Sequence, residues 1–138
     1  MKRVFLDINV LLDLIDSRRL GHPAGLRLQA LMVEKNLTGL LALHSLSVIE
    51  YIGRKRFGSA GIQELISGLI ESFSIPKTGS AEARVALNYA SGDFEDAMQI
   101  ASAITGHADF LVTRDTVGFR RSPVKVVTPE ELVALLGD

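Results

Sequence analysis

Four carboxylates in this 138-residue chain sit where an acid is out of keeping with its neighbours. Asp7 interrupts the apolar run "VFLDINVLLDL" (Val4–Leu14), where a buried strand meets the next element. A bare charge there is costly unless it is paired, hydrogen-bonded or holding a cation. Glu50, in "SLSVIEYIG", shares a helix face with Leu46, Ile49, Gly53 and Phe57 by i, i+3, i+4 spacing. Asp96 repeats the pattern: Asp93, Asp96, Ala97, Ile100, Ala101 and Ile104 align on one face of the helix opened by "SGDFED". Asp115 closes "FLVTRD", with Thr113 just before it. Each acid also has an ordinary reading. Asp7 and Asp93 suit helix N-caps, Asp96 gains from a helix dipole, Glu50 can pair with a nearby arginine, and Asp115 can serve a turn.

Taken together they point to chemistry. Four acids from distant segments, two at strand ends and two on inward helix faces, push one another toward protonation if they cluster. A divalent cation removes that conflict. Oxygen donors without His or Cys select Mg²⁺ or Mn²⁺ over zinc. Such an ion activates water and stabilises charge on a phosphoryl group, which is the chemistry of phosphodiester hydrolysis.

The elements that must position these acids follow from the pattern of apolar residues. Strands are expected at Val4–Leu6, Leu40–Leu43, Phe110–Thr113 and Val124–Val127, with a short one at Phe73–Ile75 ended by Pro76. Helices are expected over Val10–Ile15, Ala24–Lys35 (after a break at His22-Pro23), Ser45–Arg56, Ile62–Ser72 beyond Gly58, and Ser80–Tyr89. Two more run from "SGDFED" to Thr105 and over Glu130–Leu136. Apolar strands alternating with amphipathic helices argue for a three-layer α/β/α sandwich around a mostly parallel sheet. Open sheets of this kind form sites beyond the carboxyl ends of their strands, where Asp7 and Asp115 fall. Residues 1–138 are expected to form a single domain.

Composition removes other classes. The chain has no cysteine, which excludes disulfides, thiolate metal sites and a Cys nucleophile and suits a reducing cytoplasm. The N-terminus lacks the apolar stretch of a signal peptide, and no run approaches the roughly 18 residues a membrane span needs. Net charge is −1, so nucleic-acid binding would have to be local, at Arg54-Lys55-Arg56 or Arg120-Arg121. His22, His44 and His107 lack metal-ligand spacing and are read as structural or surface residues. Asp13, Asp16 and Asp109 are read as surface or cap residues, and Glu95 as solvated. "GHPAG" has neither the length nor the lysine of a P-loop.

Over its whole length the chain resembles the PIN-domain ribonucleases, the family that includes the VapC-type toxins. The resemblance is carried by "VFLDINVLLDL", "HSLSVIEYIGR", "GDFEDAMQIASAITGHADFLVTRD" and "VKVVTPEELVALL". The family's first three acids match Asp7, Glu50 and Asp96, and Asn9 matches the polar residue after the first. Many members carry Asn at the position of Asp115 and Asp three residues later. Here that later position is Gly118, so the fourth acid is Asp115 or is missing; Asp115 is preferred. The resemblance implies Mg²⁺- or Mn²⁺-dependent cleavage of single-stranded RNA. Asp7, Glu50, Asp96 and Asp115 would hold the metal, Asn9 would orient Asp7 or a metal-bound water, and Thr113 would hydrogen-bond nearby. It also implies a homodimer and an antitoxin protein as partner. Two rivals stand beside it. "FLDINVLL" and "GDFED" resemble the acidic motifs of HAD-type phosphatases, although Asn9 replaces the second Asp and the segment before Gly92 reads as helix. The other rival is a PIN-like module that binds RNA or protein without cutting.

Overall fold

The computed structural model describes residues 2–90 and 92–137. Four strands, β1 (Arg3–Leu6), β2 (Thr38–Leu40), β3 (Phe110–Val112) and β4 (Lys125–Val127), form one sheet in the order β2-β1-β3-β4. Every pairing within it is parallel, with Val4 opposite Gly39 on one side and Phe110 on the other. The helices among the described residues are α1 (Ile8–Ile15), α2 (His22–Glu34), α3 (Leu43–Ser72), α4 (Ser80–Tyr89), α5 (Phe94–Thr105) and α6 (Pro129–Leu136).

Strand alternation makes the three layers. Val4 and Leu6 of β1, with Phe110 and Val112 of β3, face a core shared with α1, α2, α3 and α6. Phe5 and Leu111 face the other way, onto Leu40, Ile100, Ala103 and Phe119. The short central strands therefore read as unbroken apolar runs, as a sheet covered on both faces requires. Phe119 is 1% exposed and anchors the loop after β3 to the second core. Burying a side chain of that kind contributes about 1.5–3 kcal/mol.

Several boundaries differ from the sequence expectation for local reasons. His22-Pro23 opens α2 instead of breaking the chain, because proline in the first turn forfeits no helical hydrogen bond. β2 ends at Leu40, and Leu43 already begins α3. The helices expected on either side of Gly58 are continuous except at that residue, whose φ of 74° and ψ of 169° form a kink. Phe73–Ile75 contributes only a single parallel bridge, Leu40 to Ser74. Asp93 caps α5 as expected, accepting from Asp96 N at 3.2 Å; Ser91, the start of the "SGDFED" run, lies outside the described residues. The segment before Gly92 is α4, and the strand β3 follows the acidic run. That is the reverse of the strand-then-acid order a HAD-type phosphatase needs.

Candidate metal centre at the carboxyl edge of the sheet

β1 and β3 lie side by side and parallel, so their carboxyl ends deliver Asp7 and the Thr113–Asp115 loop to one edge. Asp7 is 3% exposed. One of its oxygens caps α1, accepting from Val10 N at 2.9 Å. The other accepts from the Thr113 hydroxyl. The Thr113 oxygen in turn accepts from Asp115 N at 3.0 Å, so one hydroxyl ties the first and last acids together. The cap thus takes one oxygen of Asp7 and the sheet edge the other. Burial pushes its carboxyl above the usual aspartate range, and the bonds from Thr113 and Val10 pull it back only in part.

Asp115 is exposed, and its Oδ1 accepts from Gly118 N at 2.9 Å. Asp96 is half-buried in the first turn of α5. Desolvation, then the charges of Asp93, Glu95, Asp115 and Asp7, push its carboxyl up to about 7. Three of the four acids singled out from the sequence are therefore in electrostatic reach of one another.

Glu50 is placed differently. Its carboxylate is held by Arg54 one helical turn on, at 2.8 Å from Nε and 2.5 Å from Nη2. That pairing holds the Glu50 carboxyl below its ordinary range. The ordinary reading of Glu50, an acid satisfied by a nearby arginine, describes the geometry of this structure. Asn9 is exposed, and its Oδ1 accepts from Arg19 Nη2 at 3.3 Å.

Two residues depart from the sequence reading. Glu95 is not solvated on a far face: it accepts from His44 Nε2 at 2.7 Å and from Gln99 Nε2 at 2.8 Å. Gln99 also accepts from Ile8 N at 3.1 Å, joining α5 to the start of α1. One oxygen from each of Asp93, Glu95 and Asp96 lies within 4.8 Å of the others. The i, i+4 spacing of Glu95 and Gln99 was the available signal. Asp13 is not a surface residue either. It is 3% exposed and paired with Arg19 at 2.8 Å and Arg114 at 3.2 Å. Asp16 serves local backbone, accepting from Arg18 N at 3.0 Å, whereas Asp109 accepts from Arg3 N, 106 positions away, at 2.7 Å.

The basic runs are largely engaged. Arg54 holds Glu50, and Arg56 lies 3.4 Å from Asp16 with its guanidinium over the Phe57 ring. Arg120 and Arg121 donate to the carbonyls of Val117 and Ala90, each at 2.9 Å.

Residues 3–117 match the PIN domain family model, and the chain belongs to that family. No curated protein matches the chain in sequence. Its fold is that of solved VapBC and FitAcB structures. A chain of VapBC-1 from nontypeable Haemophilus influenzae superposes with a TM-score of 0.71 at 13% identity, covering 93% of this chain and 98% of that one. A chain of VapBC2 from Rickettsia felis, solved bound to a DNA fragment from its promoter, gives 0.70 at 16%, covering 91% and 98%. A chain of FitAcB from Neisseria gonorrhoeae gives 0.60 at 15%, covering 92% and 98%. Membership in the PIN family sets the phosphatase reading aside. No helix among the described residues is long and apolar enough to cross a membrane.

Proposed function

We propose that the chain is a Mg²⁺- or Mn²⁺-dependent endoribonuclease acting on single-stranded RNA, the VapC-type toxin of a toxin–antitoxin pair. The observation that carries this reading is the convergence of Asp7 and Asp115, tied through Thr113 at the carboxyl edge of the sheet, beside Asp96, whose carboxyl burial and the surrounding acids push up to about 7. Repulsion of that kind is what a doubly charged ion relieves, and the oxygen-only donors suit Mg²⁺ or Mn²⁺. Asp7, Asp96 and Asp115 would hold the ion directly or through water, and Glu50 would join them by exchanging its arginine for the metal. The bound ion would supply a polarised water and a counter-charge for the phosphate.

The remaining roles belong to the chain. Thr113 fixes the rotamer of Asp7 and the backbone of Asp115 through one hydroxyl. Asn9, exposed beside the cap, is placed to orient a water or a substrate oxygen. Family membership and the folds of VapBC and FitAB assemblies support an antitoxin partner. A homodimer and a cytoplasmic location complete the proposal, with the whole chain acting as one domain.

The test is cleavage of a single-stranded oligoribonucleotide with Mn²⁺ by the wild type and by Asp7→Asn. Loss of Mn²⁺-dependent cleavage in a folded Asp7→Asn protein supports the enzyme. A wild type that binds RNA yet never cuts it with either ion establishes the non-catalytic module instead.

A further inference from the structure

The buried acid Asp13 lies outside the set expected to hold metal, and it is paired with two arginines from different segments. It stands one helical turn beyond Asn9 on α1, with its carboxylate against Gly21, where any side chain would overlap it. Its Oδ1 accepts from Arg19 Nε at 2.8 Å and its Oδ2 from Arg114 Nε at 3.2 Å. Each arginine reaches on to something else. Arg19 Nη2 donates to Asn9 Oδ1 at 3.3 Å. Arg114 Nη1 donates to Glu130 at 3.2 Å, so α1 and α6 grip the loop after β3 from two sides. Arg114 is also the residue between Thr113 and Asp115, the two that close on Asp7.

We propose that Asp13 is a positioning residue for the acidic centre, acting through Arg19 on Asn9 and through Arg114 on Thr113 and Asp115. A carboxylate this deep needs its two cations. About a third of each side chain is exposed, 31% for Arg19 and 37% for Arg114, and the planar fork of the guanidinium fixes direction where a lysine would not. The loop carrying Thr113 and Asp115 contributes only a three-residue strand, β3, on one side. Phe119 pins its far side, and the Arg114 clamp pins its near side. Outer partners of this kind set the orientation of the groups that hold a metal, and losing one costs roughly 10–100-fold in metal affinity. This inference rests on the proposed metal centre.

The experiment is Mn²⁺ titration calorimetry on the full chain, wild type against Asp13→Asn and Arg114→Gln, with thermal unfolding of each metal-free protein alongside. Arg114 is partly exposed, so Arg114→Gln carries the test if Asp13→Asn does not fold. The expected result is Mn²⁺ binding weakened by about 10-fold or more in the folded variants. A merely structural role would lower Tm and leave the Mn²⁺ affinity of folded protein unmoved, and that result overturns the inference alone. A wild type that takes up no Mn²⁺ overturns the proposed function, and this inference with it.

Discussion

The Asp115 carboxylate fills the space that a side chain at position 118 would need: a Cβ built on Gly118 falls 2.8 Å from Asp115 Cγ. The glycine and the acid are therefore one feature. With no side chain at 118, the Asp115 carboxylate folds back over the turn and accepts from Gly118 N at 2.9 Å. Gly118→Ala is expected to leave the fold intact, because the obstructing group is the end of a flexible side chain. It is expected to displace the carboxylate and weaken Mn²⁺ binding by about tenfold, the low end for groups around a metal. Calorimetry measures the affinity, and an unchanged Kd would remove Asp115 from the site.

Asp7 does two jobs that substitution can separate. Asn is as good an N-cap as Asp, and with its single oxygen on Val10 N its NH2 faces Thr113, where it can donate to the hydroxyl oxygen. Asp7→Asn should therefore keep its stability and lose Mn²⁺-dependent cleavage. Asp7→Ala should lose both, at a stability cost of about 1–2 kcal/mol from the missing cap and the stranded Thr113 hydroxyl. Urea unfolding and an RNA cleavage assay on the same preparations check the split.

The acidic centre makes a pH prediction whose sign is fixed. The Asp96 carboxyl is pushed up to about 7 in the folded chain, against about 3.9 when unfolded. Between those values the folded chain holds a proton that the unfolded chain has released. Stability of the metal-free protein is therefore expected to fall as pH rises from about 4 to about 7. Asp7, whose carboxyl is also raised, acts in the same sense. Glu50, Asp16 and Glu82, held low, act in the opposite sense but only at more acid pH. Tm of EDTA-treated protein should decline from pH 5 to 7 and decline less in Asp96→Asn. Mn²⁺ should release protons on binding below pH 7.

Glu50 and Arg54 offer a paired test. If Glu50 joins the metal, Arg54 competes for it. Arg54→Ala is then expected to leave Mn²⁺ binding intact or tighter, while Glu50→Gln abolishes cleavage. Cleavage by Glu50→Gln at the wild-type rate would leave Glu50 a surface partner of Arg54.

Gly58 is the one place where the long third helix departs from helical geometry, and its φ of 74° with ψ of 169° belongs to a region other residues avoid. Nothing stands within 4 Å of a Cβ there, so the cost of Gly58→Ala is purely conformational. It is expected to be about 1–3 kcal/mol, measured by urea unfolding, with cleavage by the folded protein unchanged.

The parallel sheet covered by helices was legible because Val4–Leu6 and Phe110–Val112 are short apolar runs bounded by polar residues, but its separate cores on the two faces were not. Asp7, Asp96 and Asp115 were legible because strand ends and an interrupted helix stripe mark them. What stayed hidden depends on partners far along the chain. Asp13 looks like any polar residue on a short helix until Arg114, 101 positions away, arrives beside it. Glu95 looked solvated because α5 periodicity was read from its apolar residues alone. His44, which holds it from 51 positions away, has no local signature. The break within α3 was legible because Gly58 interrupts the helical pattern where the backbone leaves helical geometry.

The hydrogen bond between Thr113 and Asp7 joins residues 106 positions apart, and β3 can take its place beside β1 only after every residue between them has been made. On a ribosome, Asp7 waits without its hydroxyl partner until Thr113 has been added. A product ended before α5 carries Asp7 and Glu50 without Asp96, Thr113 or Asp115. The topology therefore ties assembly of the acidic edge to synthesis of the segment that follows β3.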